Sequence, residues 1–123
     1  MKIPNSRDRG QQIERLAGLY LFQRGAEPLL YNYRCCLGEM DIIAKQASWL
    51  LFVEVRYRKS LDYGGPSASV NWPKQQRLVK IAQYFLKTHS WTKNLDPRLD
   101  VVTVHGPMNN LQFEWLPNAI EVN

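Results

Sequence analysis

At 123 residues the chain is long enough to bury one core and too short for two independent ones, so a single domain over 1–123 is expected. A charged fraction of 22% alongside 45% hydrophobic residues excludes a disordered chain. No run approaches the roughly 18 apolar residues of a membrane span, and the polar start from Met1 to Arg7 lacks the apolar core of a secretory signal; a cytoplasmic protein with no membrane partner is expected.

The net charge of +5 is unevenly divided. Residues 1–34 carry +3, 35–54 carry −2, 55–93 carry +7 and 94–123 carry −3. A strongly basic stretch therefore follows an acidic island. A basic run alone is most simply a solvated face; the acidic neighbour is what suggests a site for an anionic partner that also needs carboxylates. The only cysteines are the neighbours Cys35 and Cys36. They cannot supply a spaced four-ligand zinc set and would bridge each other only with strain, so they read as reduced packing residues.

In chain order, the first element is a helix on which Ile13, Leu16, Ala17, Tyr20 and Leu21 recur at helical spacing, with Gly25 placed to end it in a left-handed cap. Glu14 borders that buried face. Three extended segments follow: Leu29 to Arg34, Glu39 to Ala44 and Trp49 to Arg56, the last two flanking a short turn at Gln46-Ala47. The continuous apolar run from Trp49 to Val53 predicts a central strand covered on both faces. A loop from Lys59 to Pro73 bends at Gly64-Gly65-Pro66, and a second helix starts with Asn71 as its cap and Pro73 in its first turn. Leu78, Ile81, Ala82, Phe85 and Leu86 form its buried stripe. A strand from Leu99 to Val104, a turn at Gly106-Pro107 and a short strand from Leu111 to Trp115 complete an α/β layer architecture with a mixed sheet.

Glu54 and Arg56 share one face of their strand. With a two-residue loop at Gln46-Ala47, Asp41 pairs opposite Phe52 and lies diagonal to Glu54 on that same face, whereas a loop of odd length puts it on the other face. Carboxylates about 7–8 Å apart at their side-chain origins can converge on one hard cation. Charged carboxylates among Phe52, Val53 and Val55 need a cation, an arginine or solvent, so a metal site and a structural ion pair with Arg56 or Arg58 both satisfy the pattern.

The segment Gly38-Glu39-Met40-Asp41-Ile42-Ile43-Ala44, followed by Leu51-Phe52-Val53-Glu54-Val55-Arg56-Tyr57-Arg58, closely resembles the YraN family of bacterial proteins. The likeness continues through Tyr63-Gly64-Gly65-Pro66 and Lys74 to Arg98-Leu99-Asp100-Val101-Val102. It implies a restriction-endonuclease-like fold, a central mixed β-sheet flanked by α-helices, related to archaeal Holliday junction resolvases. That superfamily places an Asp, then a Glu-x-Lys on the next strand, around its metal. By this resemblance Asp41 and Glu54 are ligands for Mg²⁺ or Mn²⁺, and Glu14 corresponds to an additional acidic residue near the ion.

Arg56 stands where the superfamily has lysine. It can supply charge but not act as a base. Its catalytic role would be to stabilise phosphate charge, and its plainer role is to pair with Glu54 or Asp41. Lys74 could supply the missing ammonium or be a solvated first-turn lysine. Arg58, Lys59, Lys74, Arg77 and Lys80 could follow a nucleic-acid backbone, and Tyr57, Tyr63 or Trp72 could stack on bases. His89 and His105 read as structural; Asp100 resembles a feature of the family and reads equally as a strand-entry residue paired with Arg98. Three functions remain open at this point: a metal-dependent nuclease acting on structured or branched DNA, a catalytically inactive DNA-binding module, and an adaptor in DNA repair, recombination or uptake. Symmetric cutting of two strands would make a homodimer reasonable.

Overall fold

The computed structural model of the protein describes residues 6–58 and 71–121. Its elements are α1 (Ser6–Gln23), β1 (Glu27–Cys35), β2 (Gly38–Gln46), β3 (Trp49–Arg58), α2 (Trp72–Thr88), β4 (Asp96–His105) and β5 (Gln112–Ile120), with a 3₁₀ turn at Ser90–Thr92. The strands form one sheet in the order β1-β2-β3-β4-β5. The β3–β4 pair is parallel and the other three are antiparallel. This is the α/β class and the helix-flanked mixed sheet expected of a restriction-endonuclease-like domain. No helix among the described residues is long and apolar enough to cross a membrane.

The first helix ends as its sequence dictates. Gly25 adopts φ +96°, and the Ala26 and Gly25 amides donate to the carbonyls of Leu21 (3.0 Å) and Phe22 (3.1 Å). These are the paired bonds of a Schellman cap, closed by the buried contact between Ala26 and Leu21. Gly18 brings the helix onto β1, because a Cβ there would collide with the Tyr31 hydroxyl. At the other helix, the Asn71 side chain accepts from the Lys74 amide at 3.0 Å, with Pro73 in the first turn. Both termini were readable because a cap is made by residues three or four apart.

β3 sits at the centre, and Leu50, Leu51, Phe52 and Val53 are all fully buried. Leu50 and Phe52 pack with Leu78, Ile81 and Phe85 of α2, whereas Leu51 and Val53 pack with Ile13, Ala17 and Leu21 of α1. The continuous apolar run thus serves two cores, one per sheet face.

The β2–β3 register differs from expectation. The turn residues are Ala47 and Ser48, with Gln46 paired to Trp49 and Ile43, rather than Asp41, opposite Phe52. The loop still has an even length, but the pairing moves by one step on each strand. Buried apolar partners explain the choice, since Ile43 meets Phe52 and Ile42 meets Val53, all fully buried. The ladder stops at Ile42–Val53, which puts Asp41 level with Glu54 instead of diagonal to it.

β4 and β5 are joined by Asp100, which is fully buried. Its Oδ1 accepts from Arg98 Nε (2.9 Å) and the Asn118 amide (2.8 Å), and its Oδ2 from Arg98 Nη2 (2.9 Å) and Trp115 Nε1 (2.8 Å). Four donors on two oxygens offset the desolvation of the charge. The register shift between Leu99 and Val101 and the left-handed Asn118 (φ +53°) bend β5 around this group, carrying the strand past the expected end at Trp115 to Ile120.

Candidate metal and phosphate site

One cleft of about 890 Å³ opens where α1, the ends of β2 and β3, the start of α2 and the turn after β4 meet. Glu14, Asp41, Glu54, Arg56 and Lys74 all line it, with Arg9, Gly10 and Ile13 of α1 and with Tyr57, Gly106, Pro107 and Met108 as a further wall. The Tyr57 hydroxyl donates to the Gly106 carbonyl at 2.9 Å, which ties that wall to β3.

Glu54 is only 4% exposed. Two cations from different elements reach its Oε1: Lys74 Nζ at 2.8 Å and Arg56 Nη1 at 3.6 Å. Asp41, beyond the last backbone pair of β2 and β3, accepts the Val55 amide at 2.8 Å through Oδ2. Its pKa is nevertheless pushed up to about 8, first by burial and then by the negative charge of Glu54; the Val55 bond acts in the opposite direction. Burial also raises Glu14, while hydrogen bonds with the Asn32 and Asp41 side chains act to lower it. Asn32 stands on β1 in the left-handed conformation (φ +56°). The Glu14 Oε2 atom is buried with no hydrogen-bond partner.

Oxygens of Glu14, Glu39 and Asp41 lie within 4.8 Å of one another, and Asp41 is also in hydrogen-bonding contact with Glu54. Acids held this close, two of them partly buried, resist ionising together unless a cation joins them. The orphaned Glu14 oxygen and the raised Asp41 pKa both fit a missing positive partner. The donor set is all carboxylate oxygen, suited to a hard divalent ion such as Mg²⁺ or Mn²⁺. Glu54 stands beside this cluster, buried and met by two cations, whereas Glu39 is exposed and pairs with Arg34 at 3.4 Å on the surface.

The model of Uncharacterised protein family UPF0102 matches residues 13–104. A UPF0102 protein of Saccharophagus degradans is 45% identical over 114 residues, covering 93% of each chain. The chain belongs to the UPF0102 family. Other relatives are a UPF0102 protein of Aeromonas hydrophila, 39% identical over 95% of this chain and 88% of its own, and one of Nitrosococcus oceani, 38% identical over 99% and 98%. The YraN resemblance falls within this family. Among solved structures, that of Pyrococcus furiosus SfsA in complex with Ca²⁺ aligns with 97% of this chain and 66% of its own at 13% identity and a TM-score of 0.41.

For this UPF0102 member, the structure brings Glu14, Asp41, Glu54, Arg56 and Lys74 together, and leaves Arg58 and Arg77 outside the cleft lining. Arg77 lies instead against the β1–β2 turn, where its Cδ is 3.4 Å from the position of a Cβ on Gly38. Trp72 is exposed at the start of α2, and Lys80 is exposed further along it. Lys59 and Tyr63 lie outside the described residues. The solvated role for Lys74 does not hold, because its ammonium pairs with a buried carboxylate; Arg56 does make its plainer ion pair with Glu54. His89 is structural, stacked on Phe85 at 3.9 Å, and His105 does not line the cleft. Glu39 and Arg9 were missed. Their signals were weak but present: Glu39 is two strand positions before Asp41, and Arg9-Gly10 lie one helical turn before Ile13-Glu14.

Proposed function

We propose that this protein binds nucleic acid and that its cleft is a divalent-metal-dependent nuclease site hydrolysing phosphodiester bonds of structured or branched DNA. One observation carries this reading: carboxylates from three separate elements, Glu14 of α1, Asp41 of β2 and Glu54 of β3, line one cleft that also holds the cations Arg56 and Lys74. Structural acids are ordinarily saturated with donors; this group is short of them.

Asp41, Glu14 and Glu54 would hold Mg²⁺ or Mn²⁺, and the bound ion would supply an activated water and charge neutralisation at phosphorus. The chain's own residues divide the remaining work. The Val55 amide orients Asp41. Arg56, always charged, lies beside Glu54 in the cleft, where its guanidinium can donate hydrogen bonds to a phosphate oxygen and offset its charge. Lys74 adds a second positive charge from α2.

The test is cleavage of linear, single-stranded and four-way-junction DNA with Mg²⁺ or Mn²⁺. Wild type is expected to cut, and Asp41→Ala and Glu54→Ala to lose at least about a hundredfold in rate while keeping most DNA binding, because phosphate contacts rather than carboxylates supply affinity. Wild type that binds DNA but cuts no faster than Asp41→Ala would overturn the nuclease reading in favour of an inactive DNA-binding module. That second reading has its own support, since Glu54 pairs with Lys74 at 2.8 Å and with Arg56 at 3.6 Å, as a structural ion pair would.

A further inference from the structure

We propose that Lys74 is a tethered counter-ion of the metal site, a cation that holds Glu54 while the site is empty and moves to a phosphate oxygen of the nucleic acid when a divalent ion takes its place. The inference rests on the metal reading above and adds a residue that couples metal and nucleic-acid binding.

The geometry carries it. Glu54 is almost fully buried, so its carboxylate cannot be left uncompensated. Two cations meet the same oxygen, Oε1, but they are not equivalent. Arg56 is on the same strand two residues away, 3.6 Å from that oxygen, and its side chain is 24% exposed. Lys74 comes from a different element, is closer at 2.8 Å, and is 32% exposed. Its backbone is fixed where the Asn71 cap anchors the first turn of α2, while its four-carbon stem remains free to rotate.

A divalent ion and an ammonium group seeking one carboxylate oxygen repel strongly at a few ångströms. On metal entry the ammonium leaves, and the direction open to it is the cleft, which Lys74 itself lines. A phosphodiester entering the cleft would offer its non-bridging oxygens to the cations that line it, and Lys74 suits such a contact as a mobile point charge. Lys74 therefore lowers metal affinity in the free protein and raises affinity for nucleic acid in the loaded one. By reciprocity, nucleic acid that draws Lys74 away tightens metal binding.

The experiment uses the whole chain and two readouts that need no turnover. Mn²⁺ binding is followed by electron paramagnetic resonance without DNA, for wild type, Lys74→Met, Lys74→Gln and Glu54→Gln. Binding of junction DNA in Ca²⁺ is followed across a salt series. Both Lys74 variants, checked for wild-type melting, are expected to bind Mn²⁺ about tenfold more tightly, and to show a log–log salt slope for DNA smaller by about one. If Glu54→Gln weakens Mn²⁺ binding but both Lys74 variants bind Mn²⁺ no better than wild type, Lys74 is a structural partner and the proposal fails while the metal site stands. If Glu54→Gln leaves Mn²⁺ binding unchanged, the metal reading fails and this one with it.

Discussion

Two acidic groups, Asp100 on β4 and the carboxylates of the α1–β2–β3 cleft, are treated in opposite ways. Asp100 is fully buried and receives four hydrogen bonds from Arg98, Trp115 and Asn118. Among the described residues the Glu14–Asp41–Glu54 group is less evenly served: the Val55 amide bonds Asp41, two cations share one oxygen of Glu54, Asn32 bonds Glu14, and Glu14 Oε2 has no partner. Burial and mutual repulsion then raise Asp41 to about 8. Saturation marks a carboxylate that holds the fold together. Undersupply is what the proposed ligand site would require, at a cost in stability that the rest of the domain bears.

The largest effect that would test this contrast is on stability at the saturated site. Asp100→Ala leaves Arg98, Trp115 Nε1 and the Asn118 amide without their acceptor, and is expected to cost about 3–5 kcal/mol. Thermal melts should fall by roughly 10–20 °C. A variant melting within about 2 °C of wild type would show that saturation does not identify the structural acid.

Next comes the pH dependence at the undersupplied site. Asp41 has a folded pKa near 8, above its unfolded value, so its folded state binds the proton more tightly. Its contribution to stability is fully present below about pH 4 and is lost as pH rises through about 8. In chelator, Asp41→Asn should therefore be more stable than wild type at pH 8.5 by several degrees, with the difference shrinking toward pH 5. Added Mn²⁺ should raise the wild-type melting temperature and leave that of Asp41→Asn unmoved. A wild-type advantage at pH 8.5 without metal would contradict the raised pKa.

The smallest effect sharpens the choice between Glu54 and Glu39. The Arg34–Glu39 pair is a surface contact, with side chains 67% and 39% exposed, and Arg34→Ala should change unfolding free energy in urea by less than about 1 kcal/mol. Glu39→Gln should likewise leave Mn²⁺ affinity within about threefold of wild type, against a much larger loss for Glu54→Gln. Equal losses would make Glu39 a ligand in its own right.

What the sequence determined alone was everything that depends on neighbours a few residues apart. The Gly25 and Asn71 caps, the two-sided burial of Leu50 to Val53 and the stripe from Leu78 to Phe85 all follow from local periodicity and capping chemistry. Asp41 and Glu54 were legible as a pair because a family resemblance and strand alternation pointed at the same residues, and Glu14 was legible from the resemblance alone. Only the tertiary structure decided the pairing step that places Asp41 level with Glu54, since competing registers of equal parity differ only in which apolar residues meet across the strands. The same holds for Lys74 reaching Glu54 across 20 residues of chain, for Glu39 joining Glu14 and Asp41, and for Trp115 and Asn118 closing on Asp100. A long-range ion pair or hydrogen bond leaves no periodic trace in the sequence, because its partners are brought together by the packing of whole helices and strands rather than by their spacing along the chain.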